Sequence, residues 1–197
     1  MANERGAEVP PARQRPWAYM LGALGASLVC VGALLLFVVM LSPGSSMTGG
    51  AVKAGGGALF GGAAILGIAG LATLGSEHGG VFAIVASFAV PAAMAYFYVH
   101  VRDVYESETT VAIMGLGLGV FAGGHAVARG IHRGVRAVAA VTMVFVIVAF
   151  AAEAQHWNVA PRTLGHLYDV AFAGLAATGL ALAVYLSVLA NATRGAR

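Results

Sequence analysis

Charge is what this sequence has least of. Only 10% of its 197 residues are Asp, Glu, Lys or Arg, against roughly 25% in ordinary soluble domains. That is too little to clothe a water-soluble surface, and a soluble fold is excluded. Cysteine is nearly as scarce: Cys30 stands alone, so one chain can form neither an internal disulfide nor a thiolate metal cluster. No lysine falls inside an apolar run and no Asp or Glu falls at the middle of one, which removes a retinal-type Schiff base and the usual carrier of proton-coupled transport. The nucleophile elbow Gly-x-Ser-x-Gly, the phosphate-binding loop and His-Glu-x-x-His are missing too. Histidines are not paired at two depths, as a transmembrane haem would need.

What is present is apolar and small. Hydrophobic residues make up 59%, mean hydropathy is +0.85, and 28 residues are glycine, a residue that lipid-embedded helices tolerate and use for close packing. Six apolar runs, over 17–41, 55–74, 81–101, 109–128, 137–152 and 167–189, alternate with short polar links. Each is near the length of about 20 residues that crosses a bilayer. They predict an all-α, polytopic membrane protein: a disordered tail over 1–16, six transmembrane helices over 17–190 and a short basic tail over 191–197. The first run is too long for a signal-peptide core and reads as an uncleaved span. Pro91 predicts a kink in the third.

Basic residues set the orientation. The tail, the links after the second and fourth runs and the C-terminus hold Arg5, Arg13, Arg15, Arg129, Arg133, Arg136, Arg194 and Arg197, whereas the other side holds Lys53, Arg102 and Arg162. By the positive-inside rule both termini are cytoplasmic, in a multi-pass protein of the cell membrane. The net charge of +3 serves that purpose, and no nucleic-acid partner is expected.

Packing is the clearest local signal. Gly115, Gly119 and Gly123 recur every fourth residue in the fourth run, Gly117 and Gly124 fall on a face roughly opposite, and Gly57 with Gly61 repeats the spacing in the second. These glycines are the expected helix-packing residues, with the fourth run central in the bundle or at a partner interface. His125, near the end of that run, is a candidate ligand or proton relay, read against the plainer role of a hydrogen-bonded packing residue.

A second constellation gathers at the outer face. His100 ends the third run, Glu153 and His156 close the fifth at i and i+3, and His166 and Asp169 open the sixth at the same spacing. Imidazole and carboxylate one turn apart can ligate a transition metal, although helix ends also carry such residues for capping alone. No cofactor is strongly implied. The stretch Val31–Leu41 is similar to a short piece of the small membrane-arm subunits of respiratory complex I. It is brief, incomplete and in the first run, and implies no membership.

Three functions follow as expectations. The first is a non-catalytic helix-packing component or assembly factor of a membrane complex, with lipid, other membrane subunits or a second copy through the fourth run as partners. The second is a channel or facilitator for a small uncharged solute, for which Ser27, Ser87, Thr142 and Thr178 are the few available lining residues. The third is a metal-dependent site at the outer face.

Overall fold

The structure is a computed structural model that describes residues 16–41, 48–74, 106–128, 131–155 and 161–195. The third apolar run with Pro91 and His100, the tail before Pro16, His156, and the links around Arg102 and Arg129 lie outside the described residues. Five helices are described: α1 (Pro16–Leu41), α2 (Thr48–Thr73), α3 (Glu106–Val127), α4 (Arg133–Gln155) and α5 (Pro161–Gly195). Three stretches, Pro16–Leu41, Gly49–Thr73 and Gly165–Arg194, are long and apolar enough to cross a membrane. They mark the chain as a membrane protein.

Proline begins two of these helices. At the first position the missing N–H is no loss and the fixed φ suits the helix, which is how Pro16 and Pro161 sit in α1 and α5. Two boundaries differ from the sequence expectation. Helix α2 starts at Thr48, taking in Gly49 and Gly50 although their composition reads as a turn; glycine is more frequent in membrane helices than in soluble ones. Helix α5 runs on to Gly195, so 191–195 are helical rather than tail. There Thr193 Oγ1 donates to the Ala190 carbonyl at 2.9 Å, a bond that keeps a polar residue inside the helix.

Each described helix packs against two others, and α5 closes the circuit on α1. Register gives their directions. A Cβ built on Gly25 would meet the Gly62 carbonyl oxygen at 2.9 Å, and one on Gly32 the Gly55 oxygen at 2.7 Å. Numbers that rise on α1 as they fall on α2 mean an antiparallel pair. Helices α4 and α5 are antiparallel as well, with Gly134 under Tyr185 and Gly174 under Phe145. By contrast α2 and α3 are parallel: Gly67 meets Gly117, Gly70 meets Phe121, and Thr73 meets His125. The end of α2 and the start of α3 therefore lie at opposite ends of the bundle, which residues 75–105 must connect.

The N-terminal end of α1 and the C-terminal end of α5 come together, with the Arg194 guanidinium against Met20 Sδ. Around Phe121 four helices converge, since Gly22 of α1, Gly70 of α2 and Leu186 of α5 all lie close to its ring or to one another. Large side chains such as Leu24, Val31, Leu34, Ile68, Val144 and Leu180 stay exposed on the outside, as lipid-facing residues do.

Candidate functional site: a buried histidine and threonine

Helix α3 is buried without interruption from Gly117 to His125. A helix apolar and covered on every side belongs to an interior. Gly117 makes this possible, because a Cβ there would overlap the Ala63 carbonyl of α2. Gly119, Gly123 and Gly124 are buried in the same stretch and Gly115 lies just before it in α3. A Cβ on Gly123 would have no described atom within 4 Å.

His125 ends this buried stretch at 1% exposure, beside Thr73 of α2 at 2%. Its ring stacks on Phe121, centroids 4.1 Å apart and planes 21° from parallel. Nδ1 lies 2.8 Å from the Phe121 carbonyl, an acceptor only, so Nδ1 carries a proton and donates. Nε2 lies 3.0 Å from Thr73 Oγ1, which is itself 2.9 Å from the Ala69 carbonyl and 3.0 Å from that of Gly70. One hydroxyl hydrogen cannot serve all of these. In the neutral ring Nε2 accepts it; if the hydroxyl turns to Ala69, Nε2 must donate instead. Both ring nitrogens are thus engaged inside the protein, and the pair ties the end of α2 to the end of α3. Leu74, Ala128 and Ile131 close over that corner.

Nothing in the sequence paired Thr73 with His125, since 52 residues separate them and only the parallel packing of α2 and α3 unites them. No family model, curated protein or solved structure matches the chain. The site is therefore read from its own geometry.

The outer-face residues are only partly described. His166 Nδ1 stands 3.9 Å from Asp169 Oδ2 one turn along α5, with the His166 side chain 83% exposed. Glu153 lies in the last turn of α4; His100 and His156 lie outside the described residues. Among the described residues no three His, Cys, Asp or Glu side chains come together.

Among the expected packing glycines Gly117 sits at a contact, whereas a Cβ on Gly57, which is exposed, or on Gly61, which is half-buried, would meet no described atom within 4 Å. The closest approaches use glycines spaced by seven instead, Gly25 and Gly32 against Gly62 and Gly55. That spacing was legible in the sequence: two glycines seven apart in each of two consecutive apolar runs are what a shallow antiparallel crossing needs.

Proposed function

We propose that this chain is a helix-packing component or assembly factor of a membrane complex, with six membrane spans and both termini in the cytoplasm. The observation that carries the reading is the use of glycine around α2. Gly55 and Gly62 seat it on α1, and Gly67 and Gly70 seat it on α3. Gly57, roughly opposite the α1 face, and Gly61, about 100° from it, meet no described neighbour, Gly57 being exposed and Gly61 half-buried. A helix with two small-residue faces in use and a third without a described neighbour can receive a further helix from another subunit. Self-association through α3 is less favoured, because its stretch from Gly117 to His125 is already enclosed.

Six spans and matched termini draw support from direction. Parallel α2 and α3 call for one more passage between them, and α1 and α5 bring their outer ends together. That end carries Arg133, Arg136 and Arg194, and the positive-inside rule places it in the cytoplasm.

Ser87 lies outside the described residues, and the other three hydroxyls named for a solute path are already committed. Ser27 donates to the Ala23 carbonyl, Thr142 to Val138 and Thr178 to Gly174, each within its own helix. His125 likewise spends both nitrogens on protein partners. These bonds favour the packing role over the channel and over a ligand at His125.

The test is purification of tagged protein from its host in mild detergent, comparing wild type with Gly61→Leu. We expect stoichiometric membrane subunits with wild type and their loss with the variant, the variant keeping its monomer elution and melting temperature. Wild type emerging alone, or an unchanged partner set with Gly61→Leu, would remove the reading.

A further inference from the structure

Charge in the described part of the molecule is segregated by end. Every described acidic residue, Glu106, Glu108, Glu153 and Asp169, belongs to the end opposite the chain termini, where Lys53 and Arg162 also lie. The other end carries Arg133 and Arg136 in the first turn of α4 and Arg194 in the last turn of α5, all three exposed. Among the described residues none of the three has an acidic partner.

The two helices that hold these arginines are unequal at this end. Tyr185 lies over Gly134, so α5 continues ten residues past the start of α4, about 15 Å at 1.5 Å per residue. Helix α1 accompanies it, with Gly22 against Leu186 and Met20 against Arg194. The start of α4 is therefore a step, backed by the end of α5 and edged by arginines. His132 Nδ1 accepts the Gly134 N–H at 3.2 Å, and its ring lies 6.0 Å from that of Tyr185. Below the step the exposed line on α4 turns wholly apolar through Val141, Val144 and Ile147, and Leu180 and Val170 are exposed on α5.

Arginines with no described acidic partner, over two exposed apolar lines, match one molecule in outline: a phosphate head above acyl chains. We propose that the step formed by Arg133, Arg136 and Tyr185 is a binding site for an anionic glycerophospholipid. The guanidiniums hold the phosphate and any further headgroup charge. The Tyr185 ring sits at headgroup level and the exposed apolar side chains of α4 and α5 below it line the chains. The site needs the chain to lie in a bilayer but does not need the complex-component reading.

The experiment is native mass spectrometry of the purified full chain in detergent, titrated with phosphatidylglycerol or phosphatidylcholine of the same acyl composition. We expect wild type to retain the anionic lipid preferentially, with the preference shrinking as salt rises. Each Arg→Gln change at Arg133 or Arg136 should lower that preference about fivefold, the equivalent of about 1 kcal/mol per arginine near a charged surface. Lys53→Gln, at the other end, should leave it unchanged. Equal retention of the two lipids by wild type overturns the proposal without recourse to any variant. So does an equal loss with Lys53→Gln, or complete displacement by an equal concentration of inorganic phosphate, which would mark an anion site with no part for the chains.

Discussion

Helices α1 and α2 and helices α4 and α5 form two antiparallel pairs, and both rely on glycine, but glycine does different work in each. Between α1 and α2 it admits backbone. Gly25 and Gly32 face the carbonyl oxygens of Gly62 and Gly55, and the two glycines on each chain are seven residues apart. Between α4 and α5 it admits aromatic rings. Gly134 lies under Tyr185 of the partner helix, and Gly174 lies under Phe145, so each helix offers one socket and one ring. The first arrangement has no movable part, because neither surface can yield without shifting a helix. The second can adjust through χ angles.

That contrast fixes the order of the predictions. The largest effect belongs to Gly62→Val, whose Cβ alone would stand 2.7 Å from the Gly25 oxygen and the Val29 nitrogen. It should cost at least about 3 kcal/mol, the upper end for overpacking, and be seen as loss of the monodisperse peak in detergent. A Gly62→Val protein that melts like wild type would break the comparison at its first half. Next comes Phe145→Ala, which empties the Gly174 socket and should cost about 3 kcal/mol, read from thermal unfolding.

The sharper test pairs changes. Gly174→Ala alone should destabilise by about 1–3 kcal/mol through overlap with the ring, and part of that penalty should vanish when Phe145→Ala is already present. No second change should rescue Gly62→Val, since backbone cannot be mutated away; a rescuing side-chain substitution on α1 would show that the two interfaces do not differ in kind. A smaller effect is expected for His125→Ala, which leaves the Thr73 hydroxyl without its ring partner. About 1 kcal/mol is the scale for such a bond between membrane helices, and a cycle with Thr73→Val in chemical denaturation measures the coupling. Smallest is Gly57→Leu, on the open side of α2, which should change stability by less than about 0.5 kcal/mol. Together with Gly62→Val it tests whether cost follows contact rather than glycine itself.

Reading the sequence located most helices and few of their contacts. Apolar runs and prolines place α1 within a residue of its observed start. They miss seven residues at the start of α2, because glycine, a turn signal in soluble chains, is tolerated in membrane helices. The four-residue glycine spacing drew attention to Gly57 and Gly61, which meet no described neighbour, and away from the seven-residue pairs that meet α1. Spacing alone names a face; it does not say which neighbour occupies it. His125 was legible as an ionisable group in an apolar run, while its partner Thr73 was one threonine among several.

Composition and hydropathy by themselves determined that this chain is helical and belongs in a membrane, because so little charge leaves no other solvent for so much apolar surface. Only the tertiary structure decided that α2 and α3 run parallel, that Thr73 closes on His125, and that one glycine meets backbone, another a ring, and a third nothing at all. Those outcomes depend on which helices become neighbours, and in lipid, where every face is apolar, neighbours are selected by fit rather than by hydrophobicity.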